Sequence, residues 1–230
     1  MNSSDGSVVD LRVWRVPKVG PALLRMAGGR SRLRRTPGLR FATLLGTSSG
    51  RTFTPRDADL HHWALLTVWD EIEAADDFGR GPLVGSWEAA AQERLRVRMT
   101  PLSSRGRWSG SEPFRLADRP AQAGPVAAIT RARLRPSRAL SFWRAVPPVV
   151  SDLTEAPGLR LAIGIGEAPI GLQGTFSLWD SGKTLVDFAY RGEAHRAAVE
   201  RTEPARWYAE ELFARFAVRE IEGTYRGRTP

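Results

Sequence analysis

The chain reads twice. Pro37-Gly38-Leu39-Arg40-Phe41, Leu65-Leu66-Thr67-Val68-Trp69-Asp70 and Arg107-Trp108-Ser109-Gly110 occur in that order. They return in the same order as Pro157-Gly158-Leu159-Arg160-Leu161, Thr175-Phe176-Ser177-Leu178-Trp179-Asp180 and Thr224-Tyr225-Arg226-Gly227, about 110–120 residues on. An internal repeat is a tight constraint, because whatever one half forms the other must form too.

Periodicity supplies the elements of each half. In the first, Val8–Val16 alternates as a strand, Pro17 and Pro21 punctuate it, and a helix follows through Leu23 and Met26. Leu39–Leu45 and Trp63–Trp69 are strands, with a Gly/Ser-rich loop expected at 46–50. A helical region spans about Ala74–Gln92, interrupted near Gly79-Arg80-Gly81-Pro82, and Arg94–Met99 is the fourth strand. In the second half Val126–Leu134, Leu159–Gly166, Thr175–Trp179 and Leu212–Glu220 read as strands. One helix opens at Pro136 or Ser137 and runs through Phe142 and Val146; Pro147-Pro148 must break it. Another runs from about Ser181 to Glu200, with a further turn around Trp207-Tyr208. Each half is β-α-β-β-α-β, the ferredoxin-like arrangement. The expected fold is therefore α+β: two ferredoxin-like repeats, 1–115 and 116–230, whose sheets pair as in a dimeric α/β barrel. Residues 111–125, rich in Pro, Gly, Ala and charge, read as the linker.

Composition narrows the chemistry by exclusion. With no cysteine there is no disulfide, iron–sulfur cluster, thiolate-ligated haem or Cys nucleophile. Three histidines, His61, His62 and His195, are few for zinc or non-haem iron. His61 and His62 are neighbours at the start of a strand and point to opposite faces. A centre with one protein imidazole stays open, and haem is the commonest such case. There is no Gly-x-Ser-x-Gly elbow, and Gly164-Ile165-Gly166 lacks the rest of a dinucleotide fingerprint. The net charge of +9 rests almost wholly on arginine, and the plain expectation is a GC-rich base composition. The dense run Arg30-Ser31-Arg32-Leu33-Arg34-Arg35, after a helix break expected at Gly28-Gly29, reads as a solvated loop, or else as a patch for an acidic partner or membrane surface. No stripe of basic and aromatic residues suggests nucleic acid. No secretory signal or spanning segment is visible, so the expectation is a cytoplasmic protein with membrane association left open.

Two segments suggest a site. On a continuous helix Phe188, Gly192, His195 and Val199 form one stripe facing the sheet, with a glycine one turn before the imidazole. A core histidine held by hydrogen bonds has the same pattern. On the strand Leu161–Gly166, alternation leaves one face with only Ala162, Gly164 and Gly166. Glycine inside a strand often marks the close approach of a ligand. The next strand lines the same space with Thr175 and Ser177, unless bulky residues such as Phe142 or Trp143 fill it.

These stretches carry a resemblance. Pro37–Phe41 with Leu44-Leu45-Gly46-Thr47, Pro101–Gly110, Ala162-Ile163-Gly164-Ile165-Gly166-Glu167-Ala168-Pro169, Thr175–Asp180, Phe188-Ala189-Tyr190-Arg191 with His195, and Trp207–Phe216 together resemble the spheroidene monooxygenase family. The resemblance implies a b-type haem oxygenase of the dimeric α/β-barrel fold, acting with O2 on an apolar, acyclic carotenoid. Electrons would come from a separate ferredoxin or reductase. It implies His195 as the iron ligand, its far nitrogen bonded by Glu193, Asp187 or a backbone carbonyl. Gly192, Phe188, Gly164 and Gly166 would shape the haem pocket. Arg191, Arg206 or Arg105 would pair with the propionates, and Gln173, Thr175 and Ser177 would form the distal face. Two rivals remain at this stage: a haem dehydratase or peroxidase with a small substrate, and a cofactor-free α/β-barrel binding protein. The oligomeric state is left open.

Overall fold

Alternation decides which side of each strand turns inward, and the eight described strands obey it. The computed structural model describes residues 6–49, 57–118, 124–138, 152–153, 155–167, 172–191 and 207–230; of Pro136, Leu172, Gln173, Tyr190 and Arg191 it describes the backbone alone. The strands are β1 (Val8–Arg15), β2 (Leu39–Ser48), β3 (Ala58–Trp69), β4 (Glu93–Gly106), β5 (Val126–Leu134), β6 (Leu159–Gly166), β7 (Leu172–Trp179) and β8 (Tyr208–Gly223). The described helices are α1 (Val19–Leu33), α2 (Ile72–Arg80), α3 (Pro82–Glu88) and α4 (Gly182–Arg191).

The strands close into one antiparallel barrel in the order β1-β3-β2-β6-β7-β5-β8-β4. Each half contributes four consecutive staves, β4-β1-β3-β2 and β8-β5-β7-β6, so the expected pair of sheets is joined edge to edge. The two seams differ. β4 and β8 run together from Leu95–Gly223 to Gly106–Leu212, whereas among the described residues β2 and β6 pair only at Gly46–Gly166, Thr47–Ile165 and Ser48–Gly164. The inward residues, among them Val9, Leu11, Leu66, Val97, Ile129, Ile163, Phe176 and Phe216, form one buried cluster drawn from both halves. A barrel filled in this way holds its own side chains, so a ligand of any size must lie on an outer face.

Several boundaries differ from expectation for physical reasons. α1 does not stop at Gly28-Gly29 but continues to Leu33, so the arginine run is helical as far as Leu33, and Arg34 and Arg35 lie in the turn that follows. Gly29 faces β2, where a Cβ would sit 2.6 Å from Leu44 Cδ1. The glycine is there for close packing, not as a breaker. Gly46, Thr47 and Ser48 belong to β2, and Tyr208 opens β8 in place of the expected turn. β4 runs on to Gly106, where φ is +91° and a Cβ would overlap the Glu211 carbonyl oxygen. Its repeat counterpart Gly223 has φ +86° and the same conflict with the Arg94 carbonyl. The expected break between α2 and α3 falls at Gly81. Of the helix expected from Pro136, a 3-10 turn over Pro136–Arg138 is described; Phe142, Trp143 and Val146 lie outside the described residues. No described helix is long and apolar enough to cross a membrane.

Candidate functional site on the outer face of the C-terminal half

Shared register makes the halves comparable position by position. Val8 pairs with Trp69 as Val126 pairs with Trp179, and Leu44 pairs with Leu65 as Gly164 pairs with Thr175. The outer face of the N-terminal half is filled. Trp14 stacks on Trp87 at 5.4 Å and 12°, Trp63 leans on the same ring at 6.5 Å, and Leu44 and Leu65 are buried beside them. At the corresponding places the C-terminal half has Ala132 for Trp14, Gln173 for Trp63, Gly164 for Leu44 and Thr175 for Leu65. Four large groups, two of them indoles, are thus replaced on one face by residues of which three are small.

The predicted site residues divide as follows. Gly164, Gly166, Thr175 and Ser177 share this face, because Ile163, Ile165 and Phe176 between them point into the core. Gln173 pairs with Gly166, which puts its backbone in the same phase. Ser177 Oγ accepts the Trp179 indole N–H at 2.9 Å, so its oxygen is held by the fold and its O–H is what it can offer a ligand. Phe188 lies 5.2 Å from Trp179 and packs with Val126 and Leu185 under α4. The start of α4 is fixed by its own side chains: Thr184 N–H donates to Ser181 Oγ and Ser181 N–H to Thr184 Oγ1, each at 3.3 Å, a reciprocal cap. Arg105 projects from the same face two strands from Thr130, over the Phe213 ring at 5.3 Å and 3.9 Å from Glu211, with its side chain 79% exposed. Gly192, Glu193, His195 and Arg206 lie outside the described residues, and Arg191 is placed only by its backbone. Among the described residues no group of three or more His, Cys, Asp or Glu is disposed to hold a metal ion.

Sequence reasoning missed two buried polar clusters, one at each end of the barrel. At the end beside β6, Arg131 is 3% exposed and bonds both Glu210 and Glu167, the latter at 3.0 Å, with its guanidinium 5.5 Å from the Trp108 ring. Trp108 Nε1 donates to Glu167 as well. Glu210 also accepts the backbone N–H groups of Ser109 and Gly110, at 3.0 and 2.8 Å. At the other end Glu93 accepts those of Arg226 and Gly227, at 3.0 and 2.6 Å. Beside Glu93 sits His62, buried as the neighbour of exposed His61, with Nδ1 2.8 Å from Asp59. The His62 bond holds the Asp59 carboxyl well below the usual range. The signal for the first cluster was available. Arg131 falls in the inward phase of Ala127 and Ile129, and a charge on that face needs buried partners. Glu167 follows Gly166 directly, so this cluster fixes the end of the strand that carries the small-residue face.

Burial alone would raise the Glu210 and Glu93 carboxyls, but their N–H donors, with Arg131 on Glu210 and the Thr224 hydroxyl on Glu93, outweigh it and hold both below the ordinary glutamate value of 4.5. A folded value below the unfolded one gives stability that is present above pH 4.5 and lost as pH falls through the folded value. We therefore expect a melting temperature that drops steeply with acid below that point. Glu210→Gln should melt lower at neutral pH but with a shallower acid limb, read by circular dichroism at a series of pH values. Parallel acid limbs in the two proteins would show that Glu210 is not responsible.

The geometry can be set beside known proteins. No protein-family profile matches the chain. It is 36% identical over 198 residues to spheroidene monooxygenase of Rhodobacter capsulatus, covering 84% of this chain and 81% of that protein. It is 39% identical over 193 residues to spheroidene monooxygenase of Rubrivivax gelatinosus, covering 84% and 73%. The chain belongs to the spheroidene monooxygenase family. Among solved structures, an aldoxime dehydratase superposes with a TM-score of 0.60 at 11% identity, over 96% of this chain and 83% of the other. At that identity the likeness is one of fold, and it places the spheroidene monooxygenase family member described here among dimeric α/β barrels.

Proposed function

We propose that the chain is a haem-dependent monooxygenase that inserts oxygen into an apolar, carotenoid-like substrate on the outer face of its C-terminal half. The observation that supports this is the exchange of Trp14, Leu44 and Leu65 in one half for Ala132, Gly164 and Thr175 in the other. A flat macrocycle needs a broad shelf without bulky side chains, and Ala128, Ala132, Ala162, Gly164 and Gly166, with Thr130, Thr175 and Ser177 between them, form such a shelf among the described residues. The substrate class comes from the name the relatives carry.

His195 is the residue assigned to hold the iron, seven positions beyond Phe188, whose ring is already anchored on Trp179. When bound, haem b would supply the iron at which O2 is activated. Arg191, Arg206 and Arg105 are assigned to the propionates. Thr175 and Ser177 are hydroxyls on an otherwise apolar shelf, so they orient polar atoms there while the alanines and glycines let carbon pack against backbone. Ser177, fixed as an acceptor by Trp179, can donate its proton outward without rotating away. Electrons enter from an external ferredoxin or reductase.

The test is expression with a haem precursor in cells that accumulate an acyclic carotenoid. Wild-type protein is expected to show a Soret band and to convert the carotenoid to an oxygenated product, and His195→Ala to lose both. Colourless wild-type protein that still forms product would overturn the haem assignment. Haem-loaded protein that leaves the carotenoid untouched would overturn the substrate class.

A further inference from the structure

The arginines are not evenly spread along the chain. Between Asp10 and Asp57 lie 46 residues with eleven basic side chains and no acidic one, while the rest of the chain holds 23 basic side chains against all 25 acidic ones. The whole excess of positive charge belongs to this stretch. Base composition acts on the entire sequence and does not account for such segregation.

α1 lies within it. Its inner face, Ala22, Met26, Gly29 and Leu33, follows the helical period and packs against β2 and β3. On the opposite side Leu24 is 76% and Leu23 52% exposed, with Ala27, Gly28 and Ser31 exposed beside them. Lys18, Arg32, Arg34 and Arg35 are exposed around this apolar strip and form no ion pair among the described residues. Elsewhere many arginines on the barrel surface are paired, Arg94 with Glu88, Arg96 with Glu220 and Glu222, Arg160 with Asp180 and Arg226 with Asp59, while Arg15, Arg215 and Arg219 bond neutral side chains. Unpaired cations and a projecting leucine pair thus coincide on one helix.

We propose that the outward face of α1 docks on an anionic lipid bilayer. Leu23 and Leu24 enter the boundary between headgroups and acyl chains, and Lys18, Arg32, Arg34 and Arg35 lie among the headgroup phosphates. Apolar residues bordered by cations on a surface helix are what interfacial binding needs, since insertion supplies affinity and charge selects the membrane. An acidic protein partner would satisfy the cations. It would not account for two leucines standing out from a convex helix, which lipid closes around and a rigid surface does not. At its C-terminal end α1 touches the strand of the proposed site, Arg30 Nη2 donating to the Glu167 carbonyl at 3.2 Å. Docking would therefore set an apolar reservoir beside the end of β6. That consequence rests on the oxygenase reading; the docking itself does not.

The experiment is co-sedimentation of the full chain with vesicles of phosphatidylcholine alone and with added phosphatidylglycerol, at low and high salt. Wild-type protein is expected to pellet with the anionic vesicles and to be released by salt. Arg32→Gln/Arg34→Gln/Arg35→Gln should weaken binding by roughly a hundredfold, at about fivefold per cation. Leu23→Ser/Leu24→Ser should weaken it while changing the melting temperature little, because Leu24 is mostly and Leu23 half in water already. Binding that neither variant alters would overturn the proposal. So would failure to pellet together with arginine-dependent retention on an immobilised acidic ferredoxin, which would assign the face to a protein. The assay reads partition rather than turnover, so a His195→Ala protein that pellets normally separates this outcome from that of the haem assignment.

Discussion

Gly164→Leu is expected to leave a folded barrel that has lost at least roughly 99% of its turnover, a displacement at the reacting centre being worth about 100-fold or more. The backbone accepts the change, since Leu44 occupies the corresponding position in the N-terminal half and Gly164 is not among the glycines with positive φ. The new side chain would rise from the shelf where its counterpart fills the space beneath α1. Thr175→Leu should act in the same direction, following Leu65, and the pair should approach the packing of the filled half. Overpacking strain of about 1–3 kcal/mol is the most the fold should lose, so a melting curve separates blockage from unfolding. Carotenoid turnover and Soret intensity are the readouts. Full activity in a folded Gly164→Leu protein would mean that the ligand lies elsewhere.

The largest loss of stability is expected from Arg131→Met. The guanidinium is the cation shared by Glu167 and Glu210 inside the barrel end, and methionine would leave two largely buried carboxylates facing each other. Removing one partner from a buried ionic cluster costs about 3–5 kcal/mol, which for a chain of this size lowers the melting temperature by roughly 10 °C. Combining Arg131→Met with Glu210→Gln should recover part of the loss, because one of the stranded charges is then gone. Thermal denaturation of the single and double variants checks this. A single variant within a degree or two of wild type would show that the carboxylates find other partners or take up protons at little cost.

How far each element could be read from sequence follows from where its constraint lies. β5 and β6 have the same ends in sequence and in structure, because each is bounded by proline or glycine and alternates cleanly. The small-residue face was legible for the same reason, since alternation alone separates Gly164 and Gly166 from Ile163 and Ile165. α1 was cut short because Gly28-Gly29 carries two opposite meanings, flexibility and close approach, and only the position of Leu44 decides between them. β4 and β8 were under-read because their far ends are held by each other across the closed seam, a partnership that no local window contains. Arg131 was legible only in its phase, because its partners Glu167 and Glu210 lie 36 and 79 residues away in sequence, beyond any local window. His195, on which the haem assignment turns, lies outside the described residues.

The doubling of the barrel has a consequence for stoichiometry. Two identical subunits related by a two-fold axis must present the same face twice, both padded or both vacant. Joining them in one polypeptide lifts that requirement. Here the tryptophan-padded flank can act as ballast for a flank lined by smaller residues, and on the proposed reading one guest per chain is the expected stoichiometry.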